Sequence, residues 1–276
     1  MSRHWFLTGA SSGIGRHLAE IILASGDDLT ATVRRPETLD DLAARYGDQL
    51  VVERLDVTVK GDIAPVVQRA EARRPVDVLV NNAGGGIIGA TEEFSDADIE
   101  GQISLNLLAP VHVTRAFILA MRTRRAGRII QISSASGQGS LPTSSLYHAA
   151  KWGLEGFSEC LRQELEGFGV FVTLIEPGGA RTSFSRNLQY ALANPAYQDT
   201  PAGQIRAMFE NAGDELYTLD PQKIAHRIFD TATSEKPPLR VALGGDAFGV
   251  IQAALKGRLS ALEAQESLAR SVAFDS

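Results

Sequence analysis

The stretch TGASSGIG, residues 8–15, decides the fold. It follows a short apolar run, HWFLT (4–8), and opens an amphipathic helical pattern over 13–25. Gly9, Gly13 and Gly15 stand at G-x-x-x-G-x-G. Glycine adopts backbone conformations closed to other residues and lets the chain approach a ligand closely. The helix start behind it offers free N–H groups and the positive end of a dipole, which suit a pyrophosphate. Placed at the first strand–turn–helix of an alternating chain, the cluster reads as a nucleotide-binding turn; the alternative is a plain tight turn.

The rest of the chain continues that alternation. Strand-like runs fall at 4–8, 29–34, 50–57, 76–82, 128–133, 170–176 and 239–244. Helical patterns fall near 13–25, 37–46, 61–74, 96–124, 144–167 and 221–234. Strands alternating with helices imply parallel pairing by crossovers, with helices on both faces of the sheet. The fold class is therefore α/β, a doubly wound parallel sheet, with residues 1–276 as a single domain. Two segments interrupt the rhythm. Residues 178–219 scatter Phe184, Leu188, Tyr190, Met208 and Phe209 among Gly, Pro and Asn, and are expected to form a lid over a substrate. Residues 246–276 carry apolar side chains at helical spacing and are expected to form a tail of one or two helices.

Composition narrows the partners. A net charge of −6 argues against non-specific nucleic-acid binding. A single cysteine, Cys160, excludes an internal disulfide, fits a reducing compartment and is expected to pack in the core. No membrane-length apolar run is expected, and the histidines His4, His17, His112 and His226 lack metal-ligand spacing. A cytoplasmic protein without a metal is the expectation.

The second strand bears on cofactor choice. In dinucleotide folds an acidic residue at its end binds the ribose 2′-hydroxyl, whereas an arginine accommodates a 2′-phosphate. Here Val33 holds the expected acidic position, and Arg34 and Arg35 follow it. NADP is expected over NAD. Asp56, at the end of the third strand, is placed to accept from an adenine amino group, and Asn81, Ala83 and Gly84 end the fourth strand.

The segment SSLYHAAKWG (144–153) puts Tyr147 and Lys151 four residues apart, on one helix face. A phenol ordinarily titrates near ~10, and a neighbouring positive charge lowers that value. The pair is either an acid/base device or two residues on a wet helix face.

Taken in order, TGASSGIG, NNAG (81–84), Ser134, YHAAK (147–151) and EPGGART (176–182) resemble the short-chain dehydrogenase/reductase family, in its single-domain Ser–Tyr–Lys form. The resemblance spans roughly residues 4–245. It implies a Rossmann-type sheet of about seven strands. It implies hydride transfer between NAD(P) and a carbonyl or alcohol, and assembly as a homodimer or homotetramer. The tail is similar to that of relatives some of which act on retinoids or steroids. By resemblance, Tyr147 is the general acid/base, and Lys151 tunes it and binds the nicotinamide ribose. Ser134 donates to the substrate oxygen. Asn106 holds a water that links Lys151 to solvent, and Thr182 binds the carboxamide. Ser11, Ser12, Ile14, Val57, Asn82, Pro177 and Gly178 join the glycines as cofactor contacts. Ser133 and Ser136 flank Ser134, so its register rests on the resemblance. Extra glycine in NNAGGGIIG is expected to loosen the substrate side, and His148 is given no chemistry.

The expected function is reduction of a hydrophobic ketone or aldehyde with NADPH. The rivals are a cofactor-binding regulator without turnover, an NAD-dependent alcohol dehydrogenase, and another reaction on the same fold.

Overall fold

A computed structural model describes residues 2–274. Nine strands alternate with eleven α-helices among them. The strands are β1 His4–Thr8, β2 Asp28–Val33, β3 Leu50–Arg54, β4 Val78–Asn81, β5 Ile87–Ile88, β6 Gly127–Ile132, β7 Val170–Pro177, β8 Gln189–Tyr190 and β9 Arg240–Leu243. The first helices are α1 Gly13–Ala24, α2 Asp40–Tyr46, α3 Lys60–Arg73, α4 Asp96–Ile103, α5 Ala109–Arg124 and α6 Ser145–Leu165. They are followed by α7 Ser183–Arg186, α8 Pro201–Glu210, α9 Pro221–Thr233, α10 Gly245–Glu263 and α11 Glu266–Arg270.

Seven strands make one parallel sheet in the order β3-β2-β1-β4-β6-β7-β9. All seven match the expected runs; the central strands are covered on both faces, and the edge strands β3 and β9 only in part. Successive residues feed opposite sides. Trp5, Leu7, Val78 and Val80 join the core shared with α1 and α9. Phe6, Leu79 and Ile129 join the core shared with α3, α5 and α6. Trp5 stacks on Phe229 at 5.4 Å between ring centroids, and Phe6 meets Phe117 edge-on at 4.9 Å. The strand order reverses between β1 and β4. That switch point opens a crevice at the carboxyl ends of the strands, where ligands bind in such sheets.

The expected helix over 96–124 is one rod with a defect in it. Five residues, Ser104–Leu108, form a π-helical turn between α4 and α5, with Asn106 inside it. Such turns mark functional positions more often than chance. The rod Asp96–Arg124 is 29 residues long and apolar enough to cross a membrane by length and composition alone. This corrects the expectation that no run reaches that length. The physical reason is that Val113, Phe117 and Met121 are core residues turned onto the sheet. Cys160 also departs from expectation: it is exposed on α6 rather than packed.

The 178–219 segment contains α7, β8 and α8. It is fastened to the 84–94 loop by a two-stranded parallel ribbon, with Ile87 opposite Gln189 and Ile88 opposite Tyr190. The glycines opposite it permit close packing, not looseness. A Cβ at Gly86 would lie 2.7 Å from Leu188 Cδ2, and one at Gly89 would lie 2.7 Å from Ala191 Cβ. The tail is two helices, as expected, up to the last described residue; positions 275 and 276 lie outside the described residues. Ala247 and Ile251 are buried at the start of α10, and Arg258 donates to the Gln138 carbonyl at 2.9 Å. Beyond it Leu259, Leu262, Leu268 and Val272 are exposed.

Candidate active site

The glycine turn is clamped from two sides. Gly9 and Gly13 have φ of +70° and +55°, in the left-handed region that glycine tolerates. A Cβ at Gly9 would lie 2.9 Å from Ala83 Cα, and one at Gly13 would lie 3.1 Å from Thr182 Cβ. At Gly15 it would meet Asn82 Nδ2 at 2.5 Å. Asn82 braces the turn, donating its amide to the carbonyls of Thr8 and Gly9 at 3.0 Å each. Thr8 Oγ1 accepts from the Asn82 and Ala83 N–H groups at 2.9 and 3.1 Å. Asn81 points elsewhere: its amide binds Thr114 and Gln131 in the interior.

The first turn of α1 carries no acidic side chain, and its N-cap residue Ser12 makes no capping bond. Its backbone donors and positive end therefore face the crevice, as a pyrophosphate requires. Ser11 is exposed at the turn, and Ile14 packs on the core beneath it. Ser183 donates to Ser12 Oγ at 2.7 Å, tying the start of the 178–219 segment to the turn.

Arg34 and Arg35 project, exposed, from the tip of β2, just past the buried Val33. Arg16, nearby, is committed to Glu20 and Asp41. Asp56 Oδ1 accepts from Thr58 N and Oγ1 at 3.0 and 2.7 Å. Those bonds, with the Arg34 charge adding to them, hold its carboxyl below the usual carboxylate range. Val57 and Ala83 line a small recess with Thr8 and Pro110. A cradle of glycines at a helix N-terminus fits a dinucleotide.

At the far end of the crevice, three consecutive residues leaving β6 meet one face of α6. The Ile132 carbonyl accepts from Lys151 Nζ at 2.9 Å. Ser133 Oγ donates to Glu155 Oε1 at 2.5 Å. The Ser134 hydroxyl lies beside the Tyr147 phenol and favours its ionised form. Tyr147, Lys151 and Glu155 are successive turns of the same helix face. Ser133 is committed to Glu155, whereas Ser134 lies beside Tyr147. Phe184 of the 178–219 segment lies over the phenol, 5.9 Å between ring centroids.

Burial pushes the Tyr147 phenol up to about 12, with Ser134 pulling the other way. Burial also pushes the Lys151 ammonium down to about 8, opposed by the Glu155 charge. The phenol is therefore raised rather than lowered as expected from Lys151: burial outweighs Ser134. Lys151 Nζ lies 5.6 Å from the Tyr147 ring centroid and is engaged with the Ile132 carbonyl.

Asn106 is fully enclosed, but its amide is not offered to a water. Nδ2 donates to Gly85 O at 3.0 Å and to Gln102 O at 3.2 Å, while Oδ1 accepts from Gly85 N at 3.3 Å. Its side chain fixes the loop after β4. Thr182 lies over Gly13 and caps α7, its Oγ1 accepting from Phe184 N at 3.2 Å. Pro177 ends β7, and the Gly178 N–H is already paired with the Leu243 carbonyl at 3.0 Å. Asp246 of α10 presses against Gly178 and accepts from Gly179 N at 2.7 Å, an anchor that no local pattern announces. His148 is a brace: Nε2 accepts from Leu141 N at 3.1 Å and Nδ1 donates to Ser136 O at 2.8 Å.

Known proteins with this arrangement identify the family. The family model described as short chain dehydrogenase matches residues 3–192. The chain belongs to the short-chain dehydrogenase/reductase family. An oxidoreductase of Botryotinia fuckeliana, BOA17, is 35% identical over 90% of each chain. Human retinol dehydrogenase 8 is 34% identical, over 85% of this chain and 79% of its own. A solved short-chain dehydrogenase from Streptomyces avermitilis is 37% identical, with a TM-score of 0.90 and coverage of 99% and 98% of the two chains. Solved structures of this fold hold NADP or NAD. The short-chain dehydrogenase described here is an NAD(P)-dependent oxidoreductase acting on CH–OH groups.

Proposed function

We propose that this dehydrogenase uses NADP to interconvert a hydrophobic ketone or aldehyde with its alcohol. The observation that carries the reading is the Ser134 hydroxyl beside the Tyr147 phenol, with Lys151 one turn along the same face. When bound, the nicotinamide cofactor supplies or accepts the hydride. Gly9, Gly13, Gly15 and the α1 N-terminus would hold its pyrophosphate, and Arg34 and Arg35 its 2′-phosphate. Asp56 and Val57 would meet the adenine. Ala83, Gly84, Lys151, Pro177 and Thr182 would flank the nicotinamide half.

The residues of the chain handle the proton and the charge. As a carbonyl is reduced, negative charge develops on its oxygen. Ser134 and Tyr147 donate to that oxygen, and donation there lowers the barrier because the charge exists only in the transition state. Tyr147 then delivers its proton. With the phenol pushed up to about 12, the protonated form prevails through the neutral range, so Tyr147 stands ready for reduction. Oxidation needs the phenolate, so the oxidative rate rises with pH. Phe184 and Leu188 make the covering segment apolar beside the phenol, which favours an apolar substrate, as does the likeness to an enzyme named for retinol.

A panel of apolar ketones and aldehydes, followed by consumption of NADPH, tests the assignment. Turnover with apolar members supports it. Tight NADPH binding without turnover of any member would return the chain to a cofactor-binding regulator. We also read the exposed Leu108, Leu119 and Trp152 around α5 and α6 as an apolar face covered by a second copy. Light scattering should then give a multiple of 29.6 kDa; a mass of 29.6 kDa itself contradicts it.

A further inference from the structure

Directly beyond Lys151 on α6 lies a buried group of charges that the chemistry above does not use. Glu155 and Glu176 are both almost fully enclosed. Glu155 Oε1 accepts from Ser133 Oγ at 2.5 Å, and Oε2 accepts from Arg240 Nε at 2.9 Å. Glu176, on β7, accepts from Gln138 Nε2 at 2.6 Å, and its Oε1 lies 3.6 Å from Arg240 Nε. Arg240, on β9, also bonds the half-exposed Glu159 at 2.8 Å. Buried carboxylates are costly unless paired, and truncating one partner leaves the other uncompensated. Two carboxyls here converge on one guanidinium, so burial and the Glu155 charge push Glu176 up to about 7.

The geometry ties this group to the site at two points. Glu155 is one helical turn from Lys151 on the same face. Its bond to Ser133 lies between the Lys151–Ile132 and Tyr147–Ser134 contacts on the same chain segment. We propose that Glu155 is a positioning residue for Lys151: its carboxylate, fixed by Ser133 and Arg240, keeps the buried ammonium charged and in place beneath Tyr147. Burial and the neighbouring Glu155 charge favour the protonated form of Glu176, and Glu155 is the carboxylate one helical turn from Lys151. The groups facing Glu155 are Lys151 and Glu159 from α6, Glu176 from β7, Arg240 from β9, and the neutral Ser133 and Gln138. Arg258 of α10 bonds the Gln138 carbonyl and lies over the Trp152 ring. The proposal rests on the reading of Tyr147 and Lys151 as the proton-transfer pair.

The test follows the Lys151 side-chain carbon resonance in full-length protein labelled with 13C-lysine, titrated with pH and assigned by its loss in Lys151→Met. Glu155→Gln keeps an acceptor for Ser133 but removes the charge. It should lower the Lys151 midpoint by about one unit, the effect of one close opposite charge. The alkaline limb of kcat/KM should move down with it. Glu155→Asp, which keeps the charge, should restore most of both. An unchanged Lys151 midpoint in Glu155→Gln overturns the proposal, as does a moved midpoint with an unmoved limb. Should Glu155→Gln fail to fold, 13C-glutamate labelling of the unmodified protein decides. Glu155 ionised at neutral pH while Glu176 titrates there supports the proposal; the reverse assignment overturns it. Full activity in Tyr147→Phe would instead remove the underlying reading, whatever the resonances show.

Discussion

Tyr147→Phe lowers kcat/KM for carbonyl reduction by roughly 10²–10⁴-fold, the usual contribution of a positioned acid. In barrier terms that is about 3–5 kcal/mol. The change removes one oxygen and leaves the ring, so the contact with Phe184 persists. Ser134, beside the phenol, accepts from Ser136 N at 3.1 Å through its Oγ and so stays anchored in the variant. Fold and NADPH affinity should therefore hold while turnover falls. Steady-state rates and a cofactor titration on the same preparation check both halves. Undiminished turnover would show that the proton comes from elsewhere. A parallel loss of cofactor binding would show that the phenol serves mainly to hold the nucleotide.

Arg34→Ala weakens NADPH binding by roughly 10- to 100-fold, the loss of one charge-assisted hydrogen bond of about 1.5–3 kcal/mol. NADH binding should barely change. The asymmetry follows from position. Arg34 leaves the tip of β2 exposed, next to a buried Val33 where an acidic residue would repel a phosphate. Its charge also reaches Asp56, just past the end of the neighbouring strand β3. Arg16 is no substitute, since it is held by Glu20 and Asp41. Fluorescence titration with each cofactor measures the split. Equal weakening of both would mean that Arg34 supports the site without reading the phosphate.

The sheet was legible in the sequence because its central strands are buried on both faces and carry few polar residues to blur them. The glycine turn was legible because two of its glycines need positive φ and all three face close neighbours. Tyr147 and Lys151 stood out by their spacing, and Ser134 by the resemblance to the family. What escaped depends on contacts between distant parts of the chain. The π turn at Asn106 leaves no mark in the hydrophobic period of 96–124, and only the tertiary fold turns the Asn106 amide onto Gly85. Glu155 sits at a readable position, eight residues after Tyr147, but its partners Glu176 and Arg240 come from strands far along the chain. The glycine run 84–86 reads as slack from sequence, yet Gly86 serves close approach of Leu188. The direction of the Tyr147 shift depends on how deeply the phenol is enclosed, which spacing does not report.

The most direct test of NADP-dependent hydride transfer is to reduce an apolar ketone with NADPH deuterated at the transferable position of the nicotinamide. Mass spectrometry of the product alcohol then locates the label. One deuterium on the carbinol carbon, formed far more slowly by Tyr147→Phe, is the predicted result. Tight binding of the labelled NADPH with no deuterated alcohol from any carbonyl in the panel would contradict it.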